Sequence, residues 1–272
     1  MTVRYAAMFH RLRQRGEGAF GAFVMLGDPD LEASARILDL LVEAGADMIE
    51  VGIPFSDPVA DGPTIQAAAE RALRQGVTPR DCLGLLAGFR ERHPDVPVGI
   101  LTYANIVLAP GRDAFYRAAA TAGVDSVLVA DVPALEASPF VASAIGAGVA
   151  PVLIAAPNTP PPTLQRIARM ARGYTYCVAR KGVTGAERAM ELDHRALLAA
   201  LGALGAPPPV LGFGISTPGH VVQALEAGAA GAISGSAIVK LLEEGDLAAV
   251  RSFVAEMKAA TKLPPHLKRV GE

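Results

Sequence analysis

The sequence predicts an α/β fold, a closed (β/α)8 barrel of the TIM type, with an extra N-terminal helix and extra helices after the second and eighth strands. Three observations predict it. About eight short, continuously apolar segments alternate with helical ones, the pattern of a parallel sheet covered on its faces. The chain has 272 residues; single barrels of this kind run to about 250, so residues 1–272 read as one domain. The phrase Ala-Gly-Ala/Val-Asp recurs ahead of strands, at Ala44 to Asp47 and Ala122 to Asp125, with Ala227-Gly228-Ala229-Ala230 as a weaker copy. Its glycine ends a helix in the left-handed region and turns the chain into the next strand. A doubly wound open sheet uses the same units, but their number favours closure.

Taken in order, Val3 to Arg15 carries Met8 and Leu12 on one side and reads as an amphipathic helix. Ala19 to Leu26 is an apolar strand, broken by Gly27-Asp28-Pro29-Asp30, where Asp30 caps the helix Leu31 to Ala44. The strand Met48 to Val51 follows, then a loop dense in Gly and Pro, then helices Thr64 to Gln75 and Pro79 to Arg92. Val98 to Thr102 is a strand, Arg112 to Thr121 a helix, Ser126 to Ala130 a strand and Ala134 to Ala147 a helix. Ala150 to Ala155 is the fifth strand, Thr163 to Arg172 a helix and Tyr174 to Val178 the sixth strand. A long loop, Arg180 to Leu192, precedes the helix His194 to Leu204. Val210 to Gly212 and Gly231 to Ser234 are the last strands, with the helix Pro218 to Ala227 between them and helices Ala237 to Glu243 and Leu247 to Lys262 after them.

Composition narrows the function. A net charge of −2 and a pI near 6.2 provide no basic field for nucleic acid or an anionic membrane. Cys82 and Cys177 form no paired framework, which argues for a reducing, cytoplasmic setting. Met1 to Gly18 is mixed and charged, unlike a signal peptide. The charge-free run Ala137 to Gln165 is broken by Pro139, Gly146, Gly148, Pro151, Pro157 and Pro160 to Pro162, so it reads as helix end, turn, strand and loop and not as a membrane span. His10, His93, His194, His220 and His266 never stand at short ligand spacing, and no metal is expected. No dinucleotide fingerprint or Ser-His-Asp arrangement appears.

The chemistry concentrates in Met48-Ile49-Glu50-Val51-Gly52-Ile53-Pro54-Phe55-Ser56-Asp57-Pro58-Val59-Ala60-Asp61-Gly62-Pro63-Thr64. A strand that carries a carboxylate, then a rigid acidic loop, then a helix, is how a parallel barrel presents a catalytic group. Strand alternation puts Met48 and Glu50 on one face, Ile49 and Val51 on the other. Helices cover the outside of a barrel, so Glu50 points into its mouth, where desolvation raises a carboxyl pKa and makes a general acid. A glutamate at a strand end also pairs with an Arg or a backbone N–H, and the pattern alone leaves both readings open. Asp61 reads, on the residues alone, more readily as a cap for the next helix than as a ligand for a substrate N–H. Three glycine turns follow the sixth, seventh and eighth strands: Gly182-Val183-Thr184-Gly185, Gly212-Phe213-Gly214-Ile215-Ser216 and Ser234-Gly235-Ser236-Ala237. Barrels often bind phosphate with the last two of these loops, using backbone N–H groups and a helix N-terminus. Tyr174 and Tyr176 share a face of the sixth strand. Phe23, Leu101, Leu128, Ile154 and Phe213 sit on barrel strands or at their ends, where core packing is the default role.

The central stretch resembles the signature of the tryptophan synthase α-subunit family, Glu-Leu-Gly-Ile/Val-Pro-Phe-Ser-Asp-Pro-x-Ala-Asp-Gly-Pro. Gly27-Asp28-Pro29, Thr102-Tyr103-Ala104-Asn105, Asp125 to Pro133, Gly182 to Gly185, Gly212 to Ser216 and Gly231 to Lys240 also match that family's pattern. The resemblance implies a (β/α)8 barrel that cleaves indole-3-glycerol phosphate to indole and glyceraldehyde 3-phosphate. It implies an α2β2 assembly with a β-subunit that consumes the indole, no cofactor in this chain, and pyridoxal phosphate only in the partner. It assigns acid–base catalysis to Glu50, the indole nitrogen to Asp61 and a helping role to Tyr176. It assigns phosphate binding to Gly185, Gly214, Gly235 and Ser236, and the indole slot to Phe23, Leu101, Leu128, Ile154 and Phe213. Asp57, Pro58, Asn105 and Pro133 fall on the partner contact. Departures are Ile106 where proline is usual, Ala22 and Met25 for proline and threonine, and Lys181 for a small residue. Three rivals remain at this point: a stand-alone lyase, an aldolase using Lys181 as a Schiff base, and a non-catalytic glycerol-phosphate-binding regulatory subunit.

Overall fold

A computed structural model describes residues 3–178 and 194–262. Its strands are β1 (Ala19–Met25), β2 (Met48–Gly52), β3 (Val98–Thr102), β4 (Ser126–Val129), β5 (Ala150–Pro151), β6 (Leu153–Ala155), β7 (Thr175–Val178), β8 (Pro209–Gly212) and β9 (Gly231–Ser234). They form one sheet in the order β5-β4-β3-β2-β1-β9-β8-β7-β6, every pairing parallel. The two end strands are the halves of the single fifth strand expected at Ala150 to Ala155. It changes neighbour at Val152: β5 pairs with β4, β6 pairs with β7, and the Val152 amide donates to the Val127 carbonyl at 3.0 Å. One chain segment thus brings the two ends of the sheet together.

The helices are α1 (Val3–Arg15), α2 (Leu31–Glu43), α3 (Pro63–Arg74), α4 (Pro79–Arg92), α5 (Ala104–Leu108), α6 (Arg112–Thr121), α7 (Ser138–Gly146), α8 (Pro161–Met170), α9 (Arg195–Ala203), α10 (Pro218–Glu226), α11 (Ser236–Glu243) and α12 (Leu247–Ala259). The extra helices stand where the sequence placed them, before β1 and after β2 and β9. One expectation is corrected. The helix read from Ala134 begins at Ser138, because Pro139 fits only a first turn and 133–136 forms a turn of its own. Helix α5 is an addition to the expected elements: five residues long, it is too short to show a period.

Two cores result. Between strands and helices, Ile49 and Val51 join an apolar layer with Leu38, Leu86 and Phe89. Inside the barrel, Met48 joins Phe23, Leu101, Leu128, Tyr174, Tyr176 and Ile233. The N-terminal helix belongs to this inner core: Tyr5, Met8, Phe9 and Leu12 plug the bottom of the barrel. The Tyr5 hydroxyl and Ser126 Oγ share a hydrogen bond of 2.9 Å. Gly99 makes this close approach possible, since a Cβ there would lie 2.5 Å from Ser126 Oγ and 3.1 Å from the Tyr5 hydroxyl.

The recurring phrase ahead of the strands has a physical explanation. Its glycines, Gly45 and Gly123, have φ of 110° and 76°. Its aspartates reach back to the preceding strand: Asp47 Oδ2 accepts the Phe20 amide at 2.8 Å, and Asp125 Oδ2 accepts the Val98 amide at 2.9 Å. The weaker third copy has Gly228 at φ 106° but no carboxylate. Asp125 is buried and also takes Arg4 Nη1 at 3.1 Å and Arg90 Nη2 at 2.7 Å. Removing one partner of such a buried set leaves charges and an amide unsatisfied. Asp125→Ala is therefore expected to cost about 3–5 kcal/mol of stability, read as a lower urea midpoint, with kcat of the folded fraction unchanged.

Candidate active site

Glu50 lies on β2 with its neighbours in register being Phe23 on β1 and Gly99 on β3. It faces the inner core and is 1% exposed. The Tyr174 hydroxyl donates to Glu50 Oε1 at 2.7 Å, while Oε2 has no partner among the described residues. Burial pushes the carboxyl from the usual 4.5 up to about 7; the nearby Asp61 charge pushes the same way and the Tyr174 hydrogen bond opposes both. Near neutral pH the group is populated in both forms, so it can donate or accept a proton.

The glycine-proline run after Glu50 cannot form helix or ladder, and it folds back over the barrel mouth as a loop. Asp57 is exposed on it. Asp61 is buried again, with the Tyr103 hydroxyl donating to its Oδ2 at 2.8 Å. Oδ1 makes no hydrogen bond among the described residues. Asp61 is not the cap of α3: that position is Gly62, which makes no side-chain cap bond, with Pro63 opening the helix. The side chain is thus left for other work. Burial raises its pKa and the Tyr103 hydrogen bond partly offsets that.

Tyr176 and Tyr174 share the inner face, as alternation requires, but the bond to Glu50 belongs to Tyr174. Tyr176 instead packs edge-on against Phe213, ring centroids 5.8 Å apart. Its hydroxyl occupies the space beside Gly212, where a Cβ would lie 2.0 Å from it. Phe23, Leu101 and Leu128 are buried in the inner core, and Ile154 and Phe213 are partly buried against it. All five apolar residues singled out from the sequence therefore line one interior with Glu50.

Gly214 follows β8 at φ 77°, next to Phe213 at φ 62°, a left-handed conformation uncommon for a phenylalanine. Gly235 and Ser236 open α11, which has no side-chain cap and no acidic residue in its first turn. Its N-terminal amides are left for an anion. Ser234 Oγ donates to the Ile215 carbonyl at 2.6 Å, tying the loop after β8 to the end of β9. Gly185 and Lys181 lie outside the described residues. Asn105 is exposed on α5 after β3, Pro133 on the loop after β4 and Asp57 on the loop after β2, where Pro58 is partly exposed. Among the described residues there is no cluster of three or more His, Cys, Asp or Glu, and no helix is long and apolar enough to cross a membrane.

Two site residues escaped the sequence reading. Tyr174 was readable as an inward tyrosine, but its partner lies 124 positions away. Tyr103, within Thr102-Tyr103-Ala104-Asn105, carries no local sign of its bond to Asp61. The raised Glu50 pKa has a consequence for stability. The native state holds the proton more tightly than the unfolded chain, so stability falls as pH rises from the usual carboxyl range through about 7. The lost stability is about 3 kcal/mol at pH 8. Glu50→Gln keeps an oxygen for Tyr174 and removes the charge. Its urea midpoint is expected to exceed the wild type's at pH 8 and to match it closely at pH 5.

Comparison with known proteins follows the same lines. The sequence model of the family described as "Tryptophan synthase alpha chain" matches residues 9–265. The tryptophan synthase alpha chain of Escherichia coli (strain SMS-3-5 / SECEC) is 54% identical over 265 residues, 95% of this chain and 99% of the relative. That of Serratia proteamaculans is 53% identical over the same coverage. A solved structure of Mycobacterium tuberculosis tryptophan synthase superposes with a TM-score of 0.88 at 33% identity, covering 97% of this chain and 100% of the other. With its barrel, its buried acid pair and these matches over nearly its whole length, the chain belongs to the tryptophan synthase alpha chain family.

Proposed function

We propose that Glu50 and Asp61 divide the work of a retro-aldol cleavage between them. The chain is a lyase of tryptophan biosynthesis that cleaves indole-3-glycerol phosphate to indole and glyceraldehyde 3-phosphate, as the α-subunit that pairs with a β-subunit. The observation that carries the residue assignment is Glu50: a buried carboxyl, its pKa raised to about 7, with one oxygen unpartnered among the described residues and a second buried acid nearby.

The chemistry asks for three things. Indole C3 gains a proton, which places positive charge on the ring nitrogen. The hydroxyl beside the scissile bond loses a proton and becomes the aldehyde carbonyl. The carbon–carbon bond then breaks and its electron pair restores the indole ring, so proton gain and loss balance. Glu50 exchanges these protons in our reading. Asp61 accepts a hydrogen bond from the indole N–H through Oδ1 and stabilises the charge as it develops. Phe23, Leu101, Leu128, Ile154 and Phe213 hold the ring, with Tyr176 bounding the slot. Gly214, Gly235 and Ser236, with Gly185, which lies outside the described residues, hold the phosphate, so that binding at one end orients the bond at the other. No cofactor is needed in this chain; pyridoxal phosphate belongs to the β-subunit. Free, buried Cys82 and Cys177 support a cytoplasmic setting. Asp57, Pro58, Asn105 and Pro133 form the β-subunit contact in this reading. A purely regulatory role has no need of two carboxyls held at raised pKa.

Indole release with and without a β-subunit tests the reading. Glu50→Gln is expected to lower kcat by about 10² to 10⁴. Asp61→Asn is expected to lower kcat more than it raises KM, since its charge matters mainly in the transition state. A Glu50→Gln enzyme with wild-type kcat would remove Glu50 from this role. At the other end, Gly235→Asp puts bulk and negative charge at the α11 N-terminus. Weaker binding of glycerol 3-phosphate, measured by calorimetry, is the expected result.

A further inference from the structure

We infer that Tyr103 is a positioning residue through which a docked β-subunit acts on Asp61. The inference rests on the function proposed above and names the route of regulation within that site.

Tyr103 stands where the loops of the face assigned to the partner come together. Its hydroxyl donates to Asp61 Oδ2 at 2.8 Å and accepts the Ala60 amide at 3.3 Å. Its ring stacks on Phe55 with centroids 5.3 Å apart and planes 29° apart. Phe55, Ala60 and Asp61 all belong to the loop after β2. Tyr103 is also the residue from which α5 starts, and its carbonyl accepts the Ile106 and Val107 amides at 3.1 and 3.4 Å. The next residue, Ala104, gives its amide to Asp131 Oδ1 at 2.8 Å, which joins the loop after β4.

The short helix works as a lever between surface and site. Ile106 and Val107 are buried on its inner side, while Asn105 and Leu108 are exposed on the outer side. Val59 and Leu135, on the loops after β2 and β4, are 70% and 62% exposed. Asn105, Leu108, Val59 and Leu135 present apolar and polar contacts on the same three loops, continuous with Asp57, Pro58 and Pro133. A partner that binds these loops more tightly in one arrangement favours that arrangement. Because Tyr103 is 2% exposed and bonded to the Asp61 carboxylate, the arrangement of the loops is also the arrangement of the acid. The hydroxyl holds Oδ2, so that Oδ1 is the oxygen that meets the indole N–H.

Tyr103→Phe keeps the ring and its stack and deletes only the hydroxyl. Indole release is measured for both proteins alone and across a titration with β-subunit, with β-subunit affinity measured in parallel by calorimetry. Couplings between sites typically amount to about 5–150-fold. The expected result is a wild type stimulated within that range and a variant whose stimulation is at least about fivefold smaller. The variant's loss is expected in kcat, with KM and β-subunit affinity nearly unchanged. In an Asp61→Asn background the same substitution is expected to add little further loss, the sign that Tyr103 acts through Asp61. This cycle also serves if the single variant proves unstable, because a purely structural defect adds in both backgrounds. A stimulated wild type with an equally stimulated variant overturns the inference alone. A wild-type rate that stays flat across the titration overturns the proposed regulation by a β-subunit, and this inference with it.

Discussion

The site depends on the removal of water from one carboxyl group. Glu50 is enclosed because the sheet closes and because α1 fills the bottom of the barrel with Tyr5, Met8, Phe9 and Leu12. Desolvation is the largest cause of its raised pKa, ahead of its hydrogen bond and its neighbouring charge. The N-terminal helix, which touches no substrate in our reading, is therefore part of what makes Glu50 an acid near neutral pH. Tyr5 packs at 5.3 Å against Tyr174, the tyrosine that holds Glu50. Stability and activity are opposed here: the enclosure that tunes the acid also costs folding free energy whenever the acid is ionised.

In the proposed reading the two ends of the substrate meet the two helices that flank β1. Asp61 immediately precedes the Gly62 cap of α3, and Gly235 and Ser236 open α11. Arg71, on α3, grips both Asp28 oxygens at 2.8 Å and reaches Glu243, the last residue of α11, at 2.9 Å. Ile65 and Ala69 of α3 and Val239 of α11 meet in the inner core. The acid end and the phosphate end are thus carried on one packed unit, which keeps their separation constant while the loops between them adjust.

Much of this could be read from residues. Short apolar strands, glycine-ended helices and the fold of Glu50 to the inside follow from local chemistry and alternation. Local chemistry was misleading at Asp61, where an aspartate before Gly-Pro reads as a cap and the structure gives that position to Gly62. It was insufficient at Tyr174 and Tyr176, which alternation places on one face; only the curvature of the closed sheet decides which one reaches Glu50. Tyr103 lies 42 positions from Asp61, and nothing local marks their bond. The turn into α5 and the change of neighbour at Val152 are likewise tertiary events. The first has too few residues to show a period, and the second depends on two strands that meet only when the barrel shuts.

That change of neighbour makes Val152 a seam. In the order of strands around the sheet, the segment 150–155 supplies both ends, and β2, β1, β9 and β8 lie in the middle. Sub-global openings proceed along the least continuous pairing. An opening here would part the fifth strand from β4 or from β7 and unroll the barrel from the side opposite β1. The strands beneath Glu50, Phe23, Gly235 and Gly214 would stay paired, so amides along them would exchange with solvent more slowly than those flanking the seam. The chain can breathe at its back, loosening the walls at Leu128 and Ile154, while the strands under Glu50 and the phosphate loops stay paired.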